Sequence, residues 1–247
     1  KQLKIKNPKN AEEYILSKVG KELYENFYKN YSVKQWGISP KSLNKSVLGR
    51  VPIRMNRNNY YVKEKLKLMP NKGYTEMFKK MISNKKIVLM LNKDFKKLKG
   101  NIDYKILIYT GPLDEYFNYK YGKLNWRSLK FKFETYKKEY LQDCVQYNYP
   151  NNFKYTRKVE IKHVTKQKNK YTTISKEYPT NKGDPYYPII NTRNLDLYSK
   201  YLKLVKEEQK KHHYFEGRLA TYRYLNTDEV IEKALKLFNK IKKKFKK

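Results

Sequence analysis

Three segments in the middle of the chain alternate between apolar and polar side chains, and they constrain the fold most. Leu129, Phe131 and Phe133 alternate with charged residues, and the same period recurs over residues 159–163 and 171–178. Strict alternation places every apolar side chain of a strand on one face. The segments therefore predict an antiparallel sheet that has one face in water.

Helical patterns lie on both sides of this predicted sheet. Asn10 followed three residues later by Glu13 is typical of a capping box, in which Asn10 is the helix N-cap and Glu13 is its partner. In the first part of the chain, the other expected elements are a helix over 11–30, a mobile loop over 39–51, and a turn at Lys72-Gly73 followed by a short helix through Met77 and Met81. Buried strands are expected over 87–91 and 106–109, and a hairpin tip over 166–170. A charged helix is expected over 195–211, followed by an amphipathic helix that is capped by Asn226 or Thr227 and ends in a frayed basic tail. The fold class expected is α+β, that is, mixed α/β.

Residue usage excludes several classes of protein. The single cysteine, Cys144, excludes an intramolecular disulfide framework and a Cys-based zinc cluster. The three histidines contain no i,i+4 pair, so no metal site is predicted. Because no apolar run approaches the ~18 residues of a membrane helix, we expect no membrane association. The first residues lack the apolar core of a signal peptide, and a cytoplasmic location is expected.

The charge of the chain is strongly basic. It carries 58 Lys and Arg against 23 Asp and Glu, a formal net charge of +35. Such a charge suits a nucleic-acid surface, but only eight of the basic residues are Arg, the usual reader of guanine edges. We therefore favour a solvated Lys coat, and we expect the scarce Arg residues to have specific uses.

Five segments combine these scarce Arg, Gly, Pro and Trp residues with aromatic side chains. They are residues 27–37, 49–54 with the following Tyr60 and Tyr61, 155–157, 183–188, and 216–224. Each segment also has a purely structural explanation. In the same order, these are a packed helix end, a surface Arg, a cross-strand ion pair, a rigid turn, and a loop that enters a helix. Together they offer guanidinium and phenol groups but no strong acid or base. This inventory favours the binding of a diphosphate that is attached to an aromatic group.

Eight stretches of the chain are similar to one known family. They are SKVGKELYENFYKNYSVKQWG, GRVPIR, GYTEMF, IYTGPLDEYFNYKYGKLNWRSLKF, YTR, KEYP, GDPYYP and GRLATYRY. In these stretches the chain resembles the UDP-galactopyranose mutases over nearly its whole length. The resemblance implies a cytoplasmic flavoprotein isomerase of cell-surface glycan biosynthesis. Such an enzyme interconverts UDP-galactose in its pyranose form and UDP-galactofuranose, with reduced FAD as a covalent catalyst.

The resemblance also implies a role for individual positions. Arg50 and Arg157 match the catalytic arginines that bind the diphosphate. The expected substrate-binding residues are Phe27, Tyr28, Tyr31, Trp36, Tyr61, Tyr186, Tyr187 and Tyr224. The expected cofactor-binding residues are Arg218, Asn226 and Thr227. No metal ligand is implied.

The sequence departs from the family pattern at several positions. Changed residues include Ser32, Tyr147, Lys154, Leu225 and Asn226. Glu216 stands where the family has Gly, and its carboxylate would disfavour a bound pyrophosphate nearby. These departures put flavin retention and turnover in question.

The Gly-rich Rossmann turn that begins the family's FAD-binding segment does not occur in this sequence. The chain is therefore expected to match the C-terminal two-thirds of a mutase. The expected domains are a helical insertion domain over 1–80, strands of the FAD domain over 81–115, a substrate domain with the antiparallel sheet over 116–190, and helices that complete the FAD domain over 191–247.

Several alternatives stay open at this point. A separate chain that carries the FAD-binding half is an expected partner, and a homodimer is left open. Two further hypotheses are a non-catalytic remnant that binds UDP or a UDP-sugar, and, less favoured, a Lys-rich nucleic-acid-binding protein.

Overall fold

The computed structural model describes residues 5–50, 52–58, 60, 66 and 68–245, and it confirms a mixed α and β fold. Within these residues the α-helices are α1 (Ala11–Leu23), α2 (Asn30–Trp36), α3 (Lys45–Leu48), α4 (Gly73–Met81), α5 (Phe95–Leu98), α6 (Leu113–Tyr116), α7 (Lys162–Thr165), α8 (Thr192–Lys210), α9 (Gly217–Ala220) and α10 (Thr227–Lys244). The strands are β1 (Leu107–Tyr109), β2 (Trp126–Tyr136), β3 (Gln146–Asn148), β4 (Arg157–Val159), β5 (Thr172–Thr180), β6 (Tyr187–Pro188) and β7 (His213–Phe215).

Contacts divide the chain into two compact units. Unit 1 comprises Lys1–Lys93 and Leu129–Gly183, and unit 2 comprises Asp94–Ser128 and Asp184–Lys247. None of the described helices is long and apolar enough to cross a bilayer. The four consecutive domains expected from the sequence stay a prediction.

The first helical region of unit 1 is longer than the sequence predicts. The Asn10 side chain caps α1 by accepting a hydrogen bond from the Glu13 N–H at 2.9 Å. The expected helix ends at Asn30, but a π-helical turn (Tyr24–Lys29) joins α1 to α2, which continues to Trp36. Gly37 then adopts a φ of 69°, a left-handed conformation that ends a helix readily. π-Helical turns often occur at functional sites.

Two other predictions for unit 1 are wrong. Residues 39–50 do not form a plain loop, because a 3₁₀ turn (Pro40–Ser42) and α3 lie there and bury Leu43 and Leu48. Residues 87–91 do not form a strand. Their side chains are exposed, Val88 by 84%, and no described strand pairs with them. A continuous apolar run fits a strand only where other elements cover both of its faces.

The antiparallel sheet of unit 1 is present as the alternating segments predict, although Phe133, on the face expected to be covered, is 68% exposed. Strand β4 pairs antiparallel with β3 on one side and with β5 on the other, and β5 lies next to β2. The strand expected over 159–163 overlaps β4 only at Val159, because β4 ends there and His163 lies in α7. Glu160 explains this end, since its buried carboxylate accepts hydrogen bonds from the N–H groups of Leu141 and Gln142.

Unit 2 combines a small parallel sheet with long helices. Strands β1 and β7 pair in parallel, and the first residues of β2 pair antiparallel with β6. The core of this unit consists of Leu113, Tyr116, Leu124, Tyr201, Val205, Phe215, Ala220 and Tyr222. The predicted helices α8 and α10 are confirmed, and Asn226 caps α10 with Glu229 in a capping box. The predicted frayed tail is wrong as far as Lys244, because α10 continues to that residue.

Candidate functional site

Arg157 and Tyr31, two residues expected to bind substrate, contact each other within unit 1. Arg157 opens β4 and Tyr31 lies in the first turn of α2. The Arg157 Nη2 donates a hydrogen bond to the Tyr31 phenol oxygen at 2.7 Å. The contact joins the helix to the sheet and fixes the plane of the guanidinium group.

A carboxylate holds Arg157 from the neighbouring strand. Glu177 lies opposite Arg157 in the register of β4 and β5, and its Oε2 is 3.3 Å from the Arg157 Nε. Burial raises the pKa of Glu177, and the charge of Arg157 partly opposes this rise. The cross-strand ion pair considered for this segment is therefore present as an electrostatic contact, and it acts on the same guanidinium that Tyr31 contacts.

Lys34 anchors the loop that leads into β4. Its Nζ donates to the main-chain oxygens of Phe153 at 2.8 Å and Tyr155 at 3.3 Å, and also to that of Tyr149. Burial lowers the pKa of Lys34. A second contact holds the same loop, because the Asn151 side chain bonds to the Asn30 side chain and to the main-chain oxygen of Asn26.

The other aromatic residues of the first segment differ in exposure. Phe27 and Tyr28 lie in the π-helical turn; Phe27 is 58% exposed, whereas Tyr28 is half-buried, and burial raises its pKa. Trp36 is buried at the end of α2. Phe27 is thus the ring of this segment most available to stack on a flat group.

The structure places Arg50 in the turn after α3, where it is partly buried. Tyr61 lies outside the described residues. The binding roles of both stay predictions.

In unit 2, Arg218 and two tyrosines form a stacked group. The rings of Tyr187 and Tyr224 are nearly parallel, with centroids 5.5 Å apart and planes inclined by 9°. The guanidinium carbon of Arg218 lies 4.6 Å from the Tyr224 ring centroid and 5.9 Å from that of Tyr187. Its Nη1 donates to the main-chain oxygen of Tyr186 at 3.0 Å, and its Nη2 donates to that of Leu225. Four residues expected at the site therefore lie together.

The sequence model of one family, described as UDP-galactopyranose mutase, matches residues 26–224. This chain belongs to that family. The match contains Tyr31, Arg157, Arg218 and Tyr224, and so includes the contacts of both units described above.

Individual relatives of this UDP-galactopyranose mutase family member are also mutases of nucleotide sugars by name. A probable UDP-galactopyranose mutase of Klebsiella pneumoniae is 39% identical over 94% of this chain and 61% of the relative. A dTDP-fucopyranose mutase of Escherichia coli is 35% identical over 94% of this chain and 63% of the relative. A UDP-galactopyranose mutase of Mycoplasma genitalium is 34% identical over 90% of this chain and 59% of the relative. The chain thus spans about three-fifths of the length of these curated relatives.

A solved structure supports the fold. The crystal structure of a reduced UDP-galactopyranose mutase matches this chain with a TM-score of 0.68, over 90% of this chain and 65% of that chain, at 14% identity. At this identity the likeness concerns the fold alone, and it confirms the expected mixed α and β class.

The residues expected to hold FAD in this mutase family member make contacts that need no ligand. Arg218 donates to two main-chain oxygens, and Asn226 caps α10 with Glu229. Thr227 is exposed as the first residue of α10. The Glu216 carboxylate accepts a hydrogen bond from the Gly217 N–H at 3.3 Å, at the N-terminal end of α9. Because Arg218 and Asn226 are already bonded within the chain, and Glu216 adds a carboxylate two residues from Arg218, these residues do not fit FAD by themselves.

Two side chains at the site were missed by reasoning from the sequence. Lys34 is three residues from Tyr31, which would place both on one helical face, but the chain is rich in Lys and the spacing does not single it out. Glu177 lies in the KEYP stretch, yet only the register of β4 with β5 brings it opposite Arg157. Both act through the tertiary fold, and a local sequence signal does not reveal them.

Proposed function

We propose that this chain is the substrate-binding part of a flavin-dependent mutase, which interconverts UDP-galactopyranose and UDP-galactofuranose. The observation that carries this proposal is the pair of contacts that the Arg157 guanidinium makes. Arg157 lies in the family-matched region, and a phenol on α2 and a carboxylate on β5 hold its guanidinium. A guanidinium that is fixed in this way suits bidentate binding of a phosphate group.

The role proposed for Arg157 is electrostatic. During the mutase reaction the bond between the sugar and UDP breaks, and negative charge develops on the departing diphosphate. A cation that is already in position stabilises this charge without reorganising. The proposal assigns Arg157 to that charge, with Tyr31 as a phenol that can donate to a phosphate oxygen. Arg50, in the turn after α3, is proposed as a second cation for the diphosphate.

Aromatic residues of the two units, each unit considered by itself, are proposed to contact a nucleotide sugar. Phe27 offers an exposed ring for the uracil base, and base–aromatic stacking is worth ~1–3 kcal/mol. In unit 2, the stacked phenols of Tyr187 and Tyr224 offer donors to polar groups of the substrate. Arg218 sets the position of these rings through its cation–π contacts.

FAD is proposed to be held mainly by a nucleotide-binding segment with a Gly-rich turn, of the kind that the resemblance implies. The exposed face of the small parallel sheet in unit 2 supports this proposal, since Ile108 is 50% exposed and parallel sheets are normally covered on both faces. We therefore expect the chain to bind UDP without FAD and to isomerise UDP-galactose only together with that segment.

A second substrate is supported by one relative. At 35% identity, the Escherichia coli dTDP-fucopyranose mutase falls within the range of 34–39% shown by the two UDP-galactopyranose mutases cited above. A dTDP-sugar is therefore the alternative substrate. Competition of UDP against dTDP for this chain distinguishes the two, because the favoured nucleotide displaces the other at lower concentration.

Titration calorimetry with UDP tests the proposed function. We expect the chain to bind UDP and the variant Arg157→Ala to bind it at least about tenfold more weakly, since charged hydrogen bonds are worth ~1.5–3 kcal/mol. Arg193→Ala is the matched control, because Arg193 is exposed on α8 and the variant loses the same charge. No binding by the unchanged chain, or equal loss in both variants, contradicts the proposal.

A further inference from the structure

Lys34 occupies an unusual position for one of the many lysines in this chain. The connection between β3 and β4 turns back on itself, with the Tyr149 N–H bonded to the Thr156 oxygen at 2.8 Å. The main-chain oxygens of Tyr149, Phe153 and Tyr155 converge on the Lys34 Nζ. An ammonium group has three N–H donors, and three carbonyls of one loop accept from them.

The contact joins two elements that the proposed function uses. Lys34 lies one helical turn after Tyr31 on α2. The loop that it binds leads directly into Arg157, the first residue of β4. The bond between Tyr31 and Arg157 therefore spans the same helix and the same loop as the Lys34 contacts.

We infer that Lys34 is a positioning residue, which holds Tyr31 and Arg157 in the one arrangement that binds the nucleotide diphosphate. This inference rests on the proposed function. Without the ammonium group, three carbonyls lose their donor, and the loop keeps only the Asn151 contacts and its own bond between Tyr149 and Thr156. Glu177 on β5 would still contact Arg157, so Arg157 would stay in the sheet. Its guanidinium would no longer be aligned with the Tyr31 phenol. Loss of a fixed geometry of this kind weakens binding without removing a contact to the ligand.

The test combines UDP titration with hydrogen exchange on the whole chain. We expect Lys34→Met to bind UDP about tenfold more weakly than the unchanged chain and to exchange the amides of 149–156 faster, with those of α8 unchanged. In an Arg157→Ala background, Lys34→Met should change UDP affinity by less than about twofold, because the two residues act as one unit. Lys29→Met is the charge control, since Lys29 is exposed in the adjoining π-helical turn.

A second variant preserves the test if Lys34→Met does not fold. Asn151→Ala removes the other attachment of the loop without unpairing a buried charge. It should weaken UDP binding in the same direction and speed exchange in 149–156.

The outcomes separate the two claims. If the unchanged chain binds UDP and Lys34→Met binds it equally well, the positioning role is overturned and the proposed function stands. The same conclusion follows if Lys34→Met and Arg157→Ala are additive, or if Lys29→Met weakens binding as much as Lys34→Met does. No binding of UDP by the unchanged chain overturns the proposed function and this inference together.

Discussion

At the scale of single residues, the partly buried carboxylate of Glu208 organises the end of a helix and the strand that follows it. Glu208, near the end of α8, accepts from the Tyr116 phenol at 2.7 Å, from the Lys211 Nζ at 2.8 Å, and lies 2.6 Å from the His213 Nδ1. Burial alone would raise the pKa of Glu208, but the hydrogen bonds from Lys211, Tyr116 and His213 together lower it to about 2. The ionised form therefore stabilises the fold.

The pH dependence of stability follows from this lowered pKa. The folded-state pKa lies below the ordinary value of 4.5, so the stabilisation is complete above that pH and is lost as the pH falls toward 2. We expect Glu208→Gln to lower the free energy of unfolding by about 2 kcal/mol at pH 7. The difference from the unchanged chain should shrink below about pH 4.5 in urea titrations.

The neighbouring residue provides the control for this prediction. Glu207 forms an exposed ion pair with Lys210, and Glu207→Gln should cost less than about 1 kcal/mol. Equal losses in the two variants, or a Glu208→Gln loss that does not change between pH 7 and pH 3.5, would contradict the assignment.

At the scale of elements, the sequence predicted the helices and strands whose positions are set by their own local pattern of residues. Strand β5 and helices α4, α8 and α10 lie close to where periodicity and capping residues place them. The prediction of a strand over 87–91 was wrong because a strand needs pairing partners, which a local apolar run does not reveal. The prediction of a loop was wrong over 39–50 because Leu43 and Leu48 become buried only in the folded chain. Of the candidate site, the sequence indicated Tyr31 and Arg157 but not their supports, Lys34 and Glu177, because strand register and a loop path set those contacts.

Helix α10 contrasts with α8 in a way that can be measured. Helix α8 buries Asn194, Tyr201 and Val205, whereas no described residue of α10 is buried. Tertiary packing supplies most helical stability, so the amides of α10 should exchange with solvent at least about 100-fold faster than those at the centre of α8. Hydrogen exchange with mass spectrometry measures both helices at once, and equal protection would show that α10 is packed more firmly than its exposed side chains indicate.

At the scale of the whole molecule, the charge of +35 attracts every polyanion, and specific binding must be separated from it. We expect single-stranded DNA to bind weakly, with an affinity that falls steeply between 50 and 200 mM salt. Arg157→Ala should leave that binding within about twofold, since one of many cations is lost. Binding to DNA that survives high salt and depends on Arg157 would instead favour a nucleic-acid function.

The family assignment suggests a role for the positive charge in the binding of anionic ligands. The matched region contains the held guanidinium of Arg157 and the stacked group around Arg218, and Lys residues surround both in the sequence. A Lys coat of this charge raises the local concentration of anionic ligands. Under the proposed function, the few oriented Arg side chains would select among those ligands.

Saturation-transfer NMR with UDP-galactose measures the central claim most directly, because it reports which protons of the ligand touch the protein. We expect transfer to the uracil and ribose protons with the unchanged chain, loss of that transfer when UDP competes, and its loss in Arg157→Ala under conditions where the circular dichroism spectrum is unchanged. No transfer with the unchanged chain, or undiminished transfer with Arg157→Ala, would contradict a nucleotide-sugar site organised around this guanidinium.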